Sequence, residues 1–281
     1  MKQQLKHIWF QRHLVMEFLR RDLQARYTGS VMGFFWSVII PLVYFAIYFV
    51  IFGFLFQQRT KLYGWDEDHP GGFAFYIFSG LLPWYALQES WVRSTTCIVD
   101  NAHLIKQIRF PAKVLPAYLC LSSLVNQLIG TAVMLLALLF YQQYLPPMVI
   151  ALPFIFCLQY VCFLGLGLLF STLHTYIRDV GTVVGIAAML LMWMSPTLYP
   201  DTIFHSSAMG TEQSHSAVLL WIKFIVYLNP LTYMVQIHHD LILYNEIHWL
   251  DWAVFGGFSC IMLALGYWLF TKCHAEFADL L

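Results

Sequence analysis

LKHIWFQRHLVMEFLRRDLQARYTGSVMGFFWSVIIP, residues Leu5–Pro41, joins a cationic amphipathic segment to a long apolar one with no linker between them. At about 100° per residue, Leu5, Ile8, Trp9, Val15, Met16, Leu19 and Leu23 share one face of a helix. Lys2, Lys6, His13, Glu17, Arg20, Arg21 and Gln24 share the other. A helix with this pattern lies in the headgroup plane of a bilayer, with the long stem of Arg12 snorkelling from its apolar face towards phosphate. From Tyr27 to Gln58 there is no Asp, Glu, Lys or Arg, which is ample length for a helix crossing roughly 30 Å of hydrocarbon.

Charge is scarce elsewhere too. Hydrophobic residues make up 60% of the 281 and charged ones 11%, against about 25% charged in soluble domains. Val114 to Ile177 holds no Asp, Glu, Lys or Arg in 64 residues, a run that two spans and a short turn fill. The composition therefore predicts an all-α integral membrane protein. Its charge-poor runs place six transmembrane helices near 33–56, 72–90, 116–140, 149–172, 182–198 and 252–271. Twelve of the Lys and Arg residues then fall on one side and three (Arg59, Lys61, Lys223) on the other. The positive-inside rule thus puts both termini in the cytoplasm. The expected organisation is an amphipathic interface helix over 1–30, a transmembrane domain over 31–274 and a cytoplasmic tail over 275–281. No cleaved signal peptide is expected, because the first 26 residues are charged and amphipathic. Cys97, Cys120, Cys157, Cys162, Cys260 and Cys273 lie in or beside spans or on the cytoplasmic side, so disulfides are not expected.

Between spans two and three, Arg93–Pro116 offers a cap at Asp100 or Asn101 and a stop at Pro111. It predicts a cytoplasmic helix of two or three turns bearing Lys106 and Arg109, suited to a partner's groove. From Pro200 to Asp251 the chain is neither a clean span nor a plain loop, and its apolar piece Phe224–His239 is split by Asn229 and Pro230. One or two short helices dipping into the outer leaflet fit, with their broken backbone buried in protein or lining a wet cavity.

Several activities are disfavoured. No GxxxxGK[ST] exists and no glycine is followed by lysine, so this chain does not hydrolyse nucleotide by the P-loop route. If transport is ATP-driven, another chain supplies the ATPase. The spans carry no central charge and no repeat, which argues against ion-coupled carriers. His238, His239, Asp240 and His248 lack an HExxH pattern and read as an interfacial polar face rather than metal ligands. Asp66, Glu67 and Asp68 read as a solvated turn rather than the reactive cluster of a membrane transferase. Glu89 and Arg93 have helix-supporting spacing. Gly29 with Gly33, and Gly181 with Gly185, have the GxxxG spacing of close helix approach. Aromatics are 18% of the chain. Trp36, Tyr44, Phe45 and Tyr48 in span one, with Trp193 and Tyr199 near span five, suit either interfacial belts or the wall of a translocation path.

Six segments in order resemble the membrane subunits of type 2 ABC exporters, particularly the polysaccharide and O-antigen export permeases. They are Arg20–Gly53, Phe78–Ser90 (FSGLLPWYALQES), Asn101–Pro116 (NAHLIKQIRFPAKVLP), Arg178–Gly181 (RDVG), Met194–Pro200 (MSPTLYP) and Leu228–Tyr244 (LNPLTYMVQIHHDLILY). The resemblance implies a homodimer with two copies of a cytoplasmic ABC ATPase, exporting a lipid-linked glycan through the inner membrane. On this view the chain binds no cofactor and no nucleic acid; ATP and Mg sit on the partner, and membrane lipids surround the spans. It implies ATPase-coupling roles for Arg20, Arg21, Arg26, Lys106, Arg109, Phe110, Arg178 and Asp179. It also implies external gate helices between spans five and six, here around Asn229, Pro230 and Tyr233. The polar piece His205–Ala217 has no counterpart in the resemblance. Capsular polysaccharide, teichoic acid, drug or simple-lipid export are the neighbouring alternatives.

Overall fold

The computed structural model describes residues 2–26, 28–56, 63–64, 71–106, 110–200 and 217–281, with side chains described outside 2–11 and 217–220. Among them, every regular element is helical. The amphipathic segment is α1 (Lys2–Ala25), and a short loop leads to α2 (Trp36–Tyr48), which continues as a π-helical stretch to Leu55. There follow α3 (Gly72–Asp100), α4 (Ala102–Ile105), α5 (Val114–Gln142), α6 (Leu152–Tyr176) and α7 (Val180–Trp193). The chain ends with α8 (Ala217–Leu228), α9 (Pro230–His239), α10 (Trp249–Cys273) and α11 (Phe277–Leu280).

Among the described residues, four stretches are long and apolar enough to cross a membrane: Gly33–Leu55, Val114–Gln142, Pro147–Tyr176 and Trp249–Leu280. The expected fifth span is the 14-residue α7, which rises about 21 Å at 1.5 Å per residue and falls short of the hydrocarbon core. The expected second span, 72–90, is the first part of α3. That helix packs against α5, α6, α7 and α9, and Phe75, Tyr76, Ile77, Trp84 and Leu87 on it are all buried. It runs on to Asp100 because the charge of Arg93 is paired within the protein. Residues 93–100 are thereby absorbed into α3, and the single turn α4 is described after it, with Lys106 at its end. Of the expected two- or three-turn helix only this first turn is described; 107–109, with Arg109, lie outside the described residues, as do 57–62, 65–70 and 201–216, which hold most of the first loop and of the polar piece.

The close helix approach occurs at glycines other than those expected. Gly29 and Gly33 have φ of +82° and +51° with open space where a Cβ would point, so they shape the loop between α1 and α2. Gly185 also faces open space. Instead α6 and α10 cross at Gly165 and Gly266, where a Cβ on either would run into the other helix's backbone. The six cysteines are free thiols.

Candidate functional site

The basic N-terminal helix is fastened to the spans by an ion cluster that involves a residue of its apolar face. Asp22 lies three and four residues after Leu19 and Phe18, and those positions turn inward: Leu19 is buried, and Phe18 stacks near Tyr118 at 5.4 Å and edge-on to Phe110 at 6.1 Å. Asp22 accepts from Arg26 Nε at 3.2 Å, from Ser122 Oγ on α5 at 2.6 Å and from Arg93 Nη1 on α3 at 3.2 Å. The second Arg93 nitrogen pairs with its other oxygen. Glu89 pairs with Arg26 and with Arg93 and accepts from Asn126 Nδ2 at 3.2 Å. Two guanidinium groups and two carboxylates thus neutralise one another where α1, α3 and α5 meet. Burial favours the neutral acid at Asp22, but the hydrogen bonds from Arg93 and Ser122 and the charges of Arg93 and Arg26 outweigh it and hold the carboxyl below its ordinary value.

Beside this joint, Cys97, Ile98, Leu115, Leu119, Leu168, Phe270 and Phe277 form a second apolar core, with Phe18, Leu104 and Phe110 packed at its edge. The tail segment 275–281 is folded into it: Phe277 is buried against Phe270 at 5.2 Å, and Tyr176 donates to Glu276 at 2.6 Å. The segment 275–281 is therefore a docked element, held because its phenyl ring completes an apolar surface.

The residues expected to meet an ATPase divide into two sets. Arg20, Arg21, Lys106, Arg178 and Asp179 are exposed, and Arg109 lies outside the described residues. Arg26 and Phe110 are engaged inside the joint and the second core. Of the aromatics, Trp36, Tyr44 and Trp193 are exposed, at 38%, 48% and 57%. Tyr48 is half-buried, its hydroxyl 3.5 Å from that of Tyr85. Tyr199 is also half-buried, and its carbonyl accepts from Tyr76 at 3.1 Å.

At the opposite end of the bundle, Asn229 and Pro230 do divide the apolar piece. Asn229 caps α9 by accepting from Leu231 N at 3.1 Å, and its Nδ2 donates to Ser195 at 3.0 Å. Pro230 occupies the first turn, where its missing N–H leaves no carbonyl unpaired. Tyr233 donates to Tyr227 O at 3.0 Å, tying α9 to α8. The polar-face reading fails for His238 and His239, which are buried. His239 stacks on Tyr76 at 4.0 Å and donates to its carbonyl at 3.1 Å. His238 Nδ1 donates to Met234 O at 2.8 Å, leaving Nε2 to accept from Gln127 at 3.1 Å. Adjacent histidines both turn inward because each meets a backbone carbonyl and a neighbouring side chain there. A cavity of about 460 Å³ opens beside them, lined by Tyr76, Tyr227, Gln236, Asp240, His248 and Asp251 among others. Burial pushes the Asp240 carboxyl up to about 6, against the lowering effect of His248.

The profile of the ABC-2 type transporter family matches residues 13–243. The chain belongs to that family. The match runs from α1 through the spans to the turn after α9, so the joint, the short α7 and the α8–α9 corner of this ABC-2 protein all fall inside it. Among curated relatives, an O-antigen export system permease protein RfbA of Myxococcus xanthus is 28% identical over 205 residues, 73% of this chain and 75% of its own length. An RfbA permease of Klebsiella pneumoniae is 26% identical over 273 residues, 95% of each chain.

Asp22, Ser122 and Asn126 were not singled out by the sequence reading. An acid placed three and four residues after two inward apolar positions is the one signal that marked Asp22. Nothing local marks Ser122 or Asn126, whose roles depend on where α5 passes.

Proposed function

We propose that this chain is the membrane permease subunit of an ABC exporter that moves a lipid-linked polysaccharide of the O-antigen type from the cytoplasmic to the outer side of the bacterial inner membrane. The names of its relatives support the cargo class. The observation that carries the mechanism is the Asp22–Arg26–Glu89–Arg93 joint, since a surface helix ion-paired to α3 and hydrogen-bonded to α5 transmits force that a loosely tethered one does not.

Two permease subunits assemble with two copies of a separate ATPase that holds ATP and Mg. Arg20, Arg21, Arg178 and Asp179 face the ATPase, with Lys106 and Arg109 of the first internal loop beside them. ATP-driven closure of the partner pushes α1 as a lever, and the joint carries the push into α3 and α5. The apolar stretch Gly33–Leu55, of which little is buried within one chain, turns its Trp36 and Tyr44 towards the second copy, as α7 does with Trp193. Aromatic rings there give a sugar chain flat surfaces to slide along. The α8–α9 corner is the external gate, and six passes place both termini in the cytoplasm. The chain itself contributes no catalytic group.

The test is coexpression with a candidate ABC ATPase subunit, copurification, and deletion of the permease followed by localisation of the glycan. Copurification with glycan retained on the cytoplasmic face is expected. A deletion strain that still displays the glycan outside overturns the reading.

A further inference from the structure

Asp240, His248 and Asp251 each direct one donor atom to a common place, and these atoms lie within 4.8 Å of one another. The three come from different local structures. Asp240 opens the π-helical turn after α9, His248 precedes α10 and Asp251 stands in its first turn. The chain is folded tightly between them: Asn245 adopts φ +59°, its side chain accepts from Met148 N at 3.0 Å, and Glu246 N donates to Asp240 O at 3.1 Å. Asp240 is more than nine-tenths buried, at 8% exposure, and its Oδ2 lies 2.9 Å from His248 Nδ1. The 460 Å³ cavity they face also receives Glu246. Asp240, the partly buried Asp251 and the exposed Glu246 thus converge on the imidazole of His248, and a carboxylate as buried as Asp240 keeps its charge at least cost where a cation shares the space.

We propose that Asp240, His248 and Asp251 form a binding site for one divalent transition-metal ion, with Glu246 or water completing the coordination. An imidazole among carboxylates suits Zn²⁺ or a similar borderline ion rather than Ca²⁺, which takes six to eight oxygens. The ion takes the place of the proton shared by His248 and Asp240, with ligand atoms drawn to about 2.0–2.2 Å. Bound there, it clamps the turn after α9 to the start of α10 and so fixes one end of the α8–α9 corner. The site does not depend on which cargo the exporter carries.

Full-length protein in detergent, stripped with chelator, is titrated with ZnCl₂ by calorimetry against a competing chelator. One ion per chain is expected. His248→Ala and Asp251→Asn should each weaken binding at least about tenfold, since losing even a supporting partner of a metal ligand has that effect. The His248 side chain is 56% exposed, so its removal leaves the core intact, and unchanged gel-filtration elution verifies this. His13→Ala, at the exposed His13–Glu17 pair of α1, should bind as the parent does. Co²⁺ substitution should give a visible ligand-field spectrum in the parent that changes in His248→Ala. Absence of stoichiometric binding in the parent, or affinity equal to the parent's in both site variants, overturns the proposal. Neither result bears on the export assay.

Discussion

At position 22 a carboxylate serves α3 and α5 at once, and its environment sets a clear expectation. Asp22→Asn keeps the shape but loses the charge that three donors share, leaving Arg93 with Glu89 as its remaining acid partner in the cluster. Hydrogen bonds to charged groups contribute about 1.5–3 kcal/mol each, and solvent at this half-buried site reduces that. The variant should unfold at lower temperature in detergent and release α1 to protease faster than the parent. The pH dependence follows in sign. The folded carboxyl lies below its ordinary 3.8, so its contribution is complete above about pH 4 and is withdrawn as pH falls through the lower folded value. Proteolysis of α1 against pH should show protection lost on the acid side, and Asp22→Asn should flatten that profile. Position 229 is a second such point. Asn229→Ala removes the α9 cap and the bond to Ser195, with a loss of about 1–2 kcal/mol in thermal unfolding. Asn229→Asp, which keeps the capping oxygen, should lose less.

Among the elements, α6 and α10 owe their crossing to glycine. Gly266→Leu places a side chain where the Gly165 carbonyl lies, and overpacking of this kind typically costs about 1–3 kcal/mol or more. Gly257, on the same helix, faces open space. Gly257→Ala should therefore stabilise by up to about 1 kcal/mol through helix propensity. Thermal unfolding of both variants under one set of conditions checks the pair, and equal effects would show that the crossing is not as tight as the geometry indicates. The spacing GxxxG did not identify this contact, because Gly165 and Gly266 are 101 positions apart in the chain and meet through helix packing. In contrast, α1 was legible from its period, and the α8–α9 corner from Asn-Pro, since capping and the missing proline N–H are local effects.

For the whole molecule, the N-terminal helix, the turn after α3 and the chain's end are gathered at one end of the bundle. Phe277 is fully buried there, so Phe277→Ala should cost about 3–5 kcal/mol, measurable as a lowered thermal midpoint and reduced yield from membranes. Removing 275–281 should act in the same direction. Arg20→Glu combined with Arg21→Glu alters exposed groups only and should leave the thermal midpoint unchanged while lowering copurification with the ATPase. Unchanged copurification would remove α1's polar face from the partner contact.

Composition and periodicity were enough to determine that the chain is a helical membrane protein with a surface helix, a broken segment near its end and no P-loop, because hydropathy, helical period and motif absence are properties of neighbouring residues. They did not fix the length of α3, the docking of the tail, the burial of His238 and His239 or the joint at Asp22. Each of those depends on what a distant helix places alongside: Arg93 stays within a long helix because Asp22 neutralises it, and two histidines turn inward because Tyr76 and Gln127 meet them. Those partners lie 71 to 163 positions away in the chain, and packing alone brings them together.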